Sequence, residues 1–282
     1  MAISIQTNLD TNTVLRNLDK TQRGVSANIA HLSSGMRITR AADDAAGLAI
    51  SEQFKGVVRG LAQAQRNGLD GISMIQVAEG GLNEMHSALS RMRELAVQAA
   101  NATQNASTRD FINNEYQSLR GEIDRISNST DFNSQKLLNT AQSFTFQVGA
   151  FALTTENTIR VSIADMNTSA LGGTVANSTT LAGTTVSTVT QALFAISSID
   201  RAITDVSTQR GRIGAAQNRL TFAIDNLASA RENLLAANSR IRDVDVASET
   251  SEFTRNQILS QAGVAVLSQA NGLPSVALQL LR

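Results

Sequence analysis

One pattern dominates residues 196–241. Ile199, Val206, Ile213, Leu220, Leu227, Leu234 and Ile241 recur at every seventh position. A straight helix drifts about 20° per heptad from such a stripe, so a repeat sustained this long implies left-handed supercoiling against other helices. At about 1.5 Å rise per residue the run makes a rod of roughly 65–75 Å. Such a rod cannot cover its own stripe. The companion positions Ile196, Ile203, Arg210, Gln217, Ile224, Arg231 and Asn238 make a half-polar second seam. The N-terminal half offers partners. Phe54, Leu61, Gly68, Ile75, Leu82, Leu89 and Ala96 form one heptad series, and Val57, Ala64, Gly71, Ala78, Met85, Met92 and Ala99 another. Glycine and alanine at these positions allow close backbone approach, although glycine costs helix propensity. After an Asn/Thr/Ser-rich break at 101–108, Ile112, Tyr116, Leu119, Ile123 and Ile126 step by four and three, which marks a further helix. The single proline, Pro274, leaves helices free to run long and is expected to kink or restart the last one.

Composition narrows the chemistry. The 282 residues carry 24 Lys+Arg and 24 Asp+Glu, so no excess of positive charge is available for phosphate backbones. Absence of cysteine excludes disulfides, thiolate zinc sites and cysteine nucleophiles. Two histidines, His31 and His86, leave little for metal or Ser-His chemistry, and absence of tryptophan removes a stacking platform. No segment reaches the roughly 20 apolar residues of a membrane span. The N-terminus has no basic region followed by an apolar core, so a cleaved secretory signal is not expected. An enzyme, a cofactor and a nucleic-acid partner are all unexpected.

Between the helical halves the period changes to two. Phe144, Phe146 and Val148 alternate, as do Ile159, Val161 and Ile163, which predicts a short β-hairpin. From 165 to 189 the chain is Ser/Thr/Gly-rich and is expected to form a surface connector. At the two ends, Leu18, Val25 and Leu32, with Ile29 beside them, face a matching series at Leu259, Val266, Leu273 and Leu280. The economical arrangement pairs these end segments with each other. A two-helix pair still leaves apolar surface in water, so neighbouring copies are expected to complete it. The expected architecture is mainly α: a long antiparallel coiled-coil bundle with a small β-hairpin and terminal helices that pair as a coiled coil. Expected boundaries are 1–42 with 243–282 for the terminal domain, 43–164 with 190–242 for the bundle, and 165–189 for the connector.

The motifs resemble bacterial flagellin. They include LSSGMRI (32–38), DDAAGLAIS (43–51), RNGLDGISMIQVAEGGL (66–82), RMRELAVQAAN (91–101), EIDRI (122–126), FNSQKLL (132–138), FQVGA (146–150), GAAQNRL (214–220), ENLLAANSRIRDVDVASE (232–249), QAGVAVLSQAN (261–271) and the closing LQLLR. They span about 1–164 and 190–282 in the order and spacing of that family. The resemblance implies a short filament subunit without large outer domains. It implies an inner core built from the terminal helices, secretion through the flagellar type III route without a cleaved signal, and an extracellular place in the flagellum. Implied partners are other copies of itself, an export chaperone at the C-terminal region, and the filament cap and hook-associated proteins. By the same resemblance Arg91, Leu95 and Glu115 correspond to a face that Toll-like receptor 5 recognises in some flagellins. A solvated helix face with Leu95 in the bundle core is the plainer account of those residues. A hook–filament junction protein is the alternative function, since it shares the terminal helices and bundle.

Overall fold

The computed structural model describes residues 9–151, 156–173 and 180–279, with side chains to residue 272. Five helices carry the fold: α1 (Leu9–Ser34), α2 (Ala45–Ala100), α3 (Ala106–Ser129), α4 (Val189–Arg242) and α5 (Val246–Gln279). Their starts follow from capping chemistry. Asp44 accepts from the Gly47 N–H at 2.9 Å before α2, and Asn105 from the Thr108 N–H at 2.8 Å before α3. Asp245 accepts from the Ala247 N–H at 3.0 Å before α5. Each satisfies an N–H that lacks an intrahelical partner. Gly35, at φ 69°, terminates α1 in the left-handed region. The helix α5 continues through Pro274 to Gln279 rather than ending there.

The chain packs as two compact units, 1–57 with 232–282 and 58–231. The border thus falls inside α2 and α4, at 57/58 and 231/232, rather than at their outer ends, and 165–189 belongs to the second unit.

In the second unit the heptads of α2 are buried as expected. Leu61, Ile75, Leu82, Leu89 and Ala96 on one seam, and Ala64, Ala78, Met85, Met92 and Ala99 on the other, all point inward. Gly68 and Gly71 mark two close approaches. A Cβ on Gly68 would stand 2.9 Å from Ile224 Cγ1, and one on Gly71 3.0 Å from the Phe146 ring. On α4 the expected seam Ile199, Val206, Ile213, Leu220 and Leu227 is buried. The second buried seam is not the one expected. It is Ala195, Ala202, Gln209 and Ala216, while Ile196, Ile203 and Ile224 are only half-buried. The helices α2 and α4 are antiparallel, since Arg93 Nε meets Asp200 Oδ1 at 2.7 Å and Arg231 Nη1 meets Gln65 Oε1 at 3.3 Å. From α3, Ile112, Tyr116 and Ile123 complete the core.

Strands β3 (Gln142–Gln147) and β4 (Thr158–Ile163) form the expected hairpin, with Phe144 opposite Val161 and Phe146 opposite Ile159. A smaller hairpin, β1 (Asp131–Phe132) with β2 (Gln135–Lys136), was not foreseen. Its turn residues Asn133 and Ser134 both have positive φ, as a two-residue primed turn requires.

The 165–189 stretch is not a mere surface connector. Met166, Leu171, Leu181 and Val186 are buried. The side chains of α3 hold its polar groups: Asp124 accepts from the Thr168 N–H and hydroxyl at 2.9 and 2.8 Å, and Arg120 donates to the Ala182 carbonyl at 2.6 Å. Composition concealed this because four apolar residues suffice when a neighbouring helix satisfies the backbone. Residues 174–179 lie outside the described residues.

Candidate self-assembly surface

The terminal unit pairs α1 with α5, antiparallel. The Thr11 hydroxyl donates to Asn271 Oδ1 at 3.4 Å at one end, and His31 Nδ1 lies 3.0 Å from Glu249 Oε1 at the other. Between them a Cβ on Gly263 would come within 3.3 Å of Leu18 Cδ1. On α1, Leu18, Val25 and Leu32 are half-buried as the heptad predicts. Ile29, expected beside them, is 52 % exposed.

On α5 the stripe facing α1 differs from expectation. Its least exposed residues are Glu249, Asn256, Gly263 and Ala270, with Phe253, Ser260 and Leu267 alongside. The 249–270 series is small and polar, which permits close helix approach, while Phe253 and Leu267 beside it supply the apolar contact. The expected apolar stripe lies beside it. Ile258, Leu259, Val264 and Val266 are 50–60 % exposed. Leu259 and Val266 border an open groove of about 660 Å³ that Val14, Leu18 and Ala262 also line. The Leu273 side chain and Leu280 lie outside the described residues. Ile258 and Val264 point to other sides of α5, but Leu259 and Val266, seven positions apart beside the groove, mark an interaction surface.

The end of the α1–α5 pair nearest the loops is polar, which sequence reasoning missed. Asn28 is buried, donates to Glu249 Oε1 at 2.6 Å, and accepts from Asn256 Nδ2 at 2.9 Å. The available signal was Asn28 in heptad register with Val14 and Thr21, where a polar residue fixes helix register at some cost in stability. Nearby, Arg37 N–H donates to the Arg242 carbonyl at 2.7 Å and Val244 N–H to the Gly35 carbonyl at 3.1 Å. The loop between α1 and α2 and the loop between α4 and α5 therefore pair backbone to backbone. The Arg242 guanidinium adds an ion pair with Glu52.

The second candidate face lies on the bundle. Arg91 Nη2 donates to Glu115 Oε1 at 2.9 Å and Nη1 to Glu94 Oε2 at 3.0 Å, with all three side chains about half exposed. The hydrogen bond to Glu115, then that to Glu94, raises the basicity of Arg91. Leu95 does not share this face. It is 2 % exposed and packs inside the bundle, so it has no apolar surface to offer a partner. Among the described residues no group of three or more His, Cys, Asp or Glu gathers as metal ligands would, and no helix is long and apolar enough to cross a membrane.

Two family descriptions match the chain: the bacterial flagellin N-terminal helical region over residues 5–143, and the bacterial flagellin C-terminal helical region over 196–281. The chain is 45 % identical to a flagellin of Bacillus subtilis, covering 95 % of this chain and 96 % of that protein. It is 47 % identical to a flagellin of Halalkalibacterium halodurans, covering 89 % of each. A flagellar filament 33 kDa core protein of Treponema phagedenis is 40 % identical over 95 % of this chain and 96 % of its own length. Matches at both ends, in order and across nearly the whole length, leave one conclusion: the chain belongs to the bacterial flagellin family.

Proposed function

We propose that the chain acts as a structural subunit of the bacterial flagellar filament and polymerises through its terminal helices. The observation that carries this is the half-exposed pair Leu259 and Val266 on α5, bordering an open groove that the α1–α5 contact leaves uncovered. A subunit that shows an apolar stripe and an adjoining groove can repeat one contact without closing it, which generates a helical polymer. Burial of apolar area at about 25 cal/mol per Å² would drive assembly, less the cost of ordering the ends. Leu18, Val25, Ile29, Leu32, Leu259 and Val266 are the contacts, continued by Leu273 and Leu280. The filament names of its relatives favour this function over a hook–filament junction role. Membership supports the finer features of this reading: export without a cleaved signal, an extracellular location, a chaperone at the C-terminal region, and cap and hook-associated partners.

Removal of Leu259–Arg282 is the test. The bundle should retain its helical melting transition while filaments vanish under the electron microscope. Normal filaments from the truncated chain would refute terminal-helix assembly. Toll-like receptor 5 is proposed to meet the bundle at Arg91 and Glu115, with Leu95 shaping the helix from inside. The support is an exposed guanidinium able to exchange its own carboxylates for a partner's. Receptor-reporter cells should respond less to Arg91→Ala; an unchanged response rejects this contact.

A further inference from the structure

One cluster in the terminal unit serves neither apolar assembly nor the bundle face. The His31 side chain, 18 % exposed, stands between two carboxylates. Its Nδ1 is 3.0 Å from Glu249 Oε1 on α5, and its Nε2 is 3.9 Å from Asp43 Oδ2 in the loop that leads into α2. Both acids are already organised. Glu249 accepts from Asn28, and Asp43 accepts from the Thr39 N–H at 2.9 Å, the Arg40 N–H at 2.8 Å and the Thr39 hydroxyl at 3.0 Å. Two guanidiniums, Arg23 and Arg40, line the same recess, and Arg23 is bound to Asp19 at 2.8 Å. The charges within 4.0 Å of the ring are the two carboxylates.

A neutral imidazole carries one N–H. Donation from Nδ1 to Glu249 leaves Nε2 as an acceptor turned toward an acceptor, and the gap on the Asp43 side is too long for a hydrogen bond. A protonated imidazole carries two N–H groups and can serve both acids.

We propose that His31 is a proton-operated clamp of the terminal unit: on taking one proton from solvent it donates to Glu249 and Asp43 together and draws the 35–44 loop onto the α1–α5 pair. The loop it would hold is the one paired to the α4–α5 connection through the Met36–Asp243 bridge. Acid therefore stiffens the junction from which α1, α2 and α5 depart, and alkali releases it.

The test uses filaments of the full chain. Wild-type filaments formed at about pH 5.5 and about pH 8 control for the assembly function itself. Amide hydrogen exchange is then measured at Thr39 and Arg40 and corrected for its intrinsic pH dependence. In the wild type, protection should be about threefold higher at the acidic value, the scale of a partly exposed ion pair. In His31→Gln it should be equal at both values, and in His31→Arg it should be high at both. A wild-type chain without the rise, a His31→Gln chain that keeps it, or a His31→Arg chain that still responds to pH would each overturn the clamp. If His31→Gln does not assemble, His31→Arg alone decides, since a fixed charge must remove the response.

Discussion

The two units of this chain use the same heptad grammar to opposite ends. In the bundle, two seams of α2 and two of α4 are closed, down to Gly68 and Gly71 where backbones approach side chains. Its buried Gln209 is satisfied on both sides: the amide nitrogen donates to the Ser162 carbonyl at 3.1 Å and the amide oxygen accepts from the Ala164 N–H at 3.4 Å. Phe111, Phe194 and Phe222 face solvent, but behind filled seams. In the terminal unit the inward face of α5 mixes Phe253 and Leu267 with Asn256, Gly263 and Ala270, and Leu259 and Val266 are left half exposed. Burial stabilises in proportion to apolar area removed from water, so the bundle is the better closed of the two, and the proposed assembly would complete the terminal pair.

The strongest challenge to that contrast compares equal truncations. Leu82 is fully buried in the bundle and Leu259 is half exposed on α5. Leu82→Ala should lower the monomer's unfolding free energy by about 2–5 kcal/mol, a transfer loss plus a cavity. Leu259→Ala should shift the monomer by less than about 0.5 kcal/mol and instead raise the concentration needed for filament growth. Denaturant melts and sedimentation of filaments separate the two. Equal monomer losses would mean that both units are complete alone.

A finer effect concerns the strap over α3. Tyr116 is fully buried and its hydroxyl lies 2.6 Å from Thr184 Oγ1. The Thr184 hydroxyl also donates to the Leu181 carbonyl at 2.8 Å, so the tyrosine is the donor of the pair. Desolvation raises the Tyr116 pKa, with the Thr184 hydrogen bond opposing, and keeps the phenol protonated for that task. Tyr116→Phe should cost about 1 kcal/mol in bundle stability by denaturant melting, without effect on filament growth. A loss of assembly instead would tie the strap to the polymer.

How far the sequence could be read depended on residue size. On α2 both seams were legible because Leu, Ile and Met alternate with small residues in strict register. On α4 the isoleucines at 196, 203 and 224 pointed to the wrong companion seam; alanines at 195, 202 and 216 carry little hydrophobic weight yet pack closest. The same bias put the α5 contact at Leu259 and Val266 rather than at Asn256, Gly263 and Ala270. In both helices small side chains occupy much of the inward face, and a hydrophobicity pattern ranks them low. Leu95 was ambiguous for another reason: position on a helix beside Arg91 does not reveal which side of the boundary a leucine occupies. The Asn28–Glu249–His31 cluster was hidden because its members lie more than 200 positions apart.

The smallest expected effect is an acid limit on the terminal unit. Hydrogen bonds from the Arg40 N–H, then from Thr39, hold the Asp43 carboxyl below its ordinary pKa. A depressed folded value means that the ionised form is favoured by the fold. Its contribution is present above the unfolded aspartate value, about 3.9, and is lost as pH falls through the lower folded value. Protection of the Thr39 and Arg40 amides should therefore decline between about pH 4 and about pH 2 in the wild type and show no such decline in Asp43→Asn. The bundle has its own depressed acid, Glu122, held down by Arg125. That pair is an exposed i,i+3 contact on one helix, so its protonation undoes no loop and should leave bundle protection nearly level. A bundle that lost protection as steeply as the 39–43 turn would show that acid acts on the two units alike, and the difference between them would then lie in packing alone.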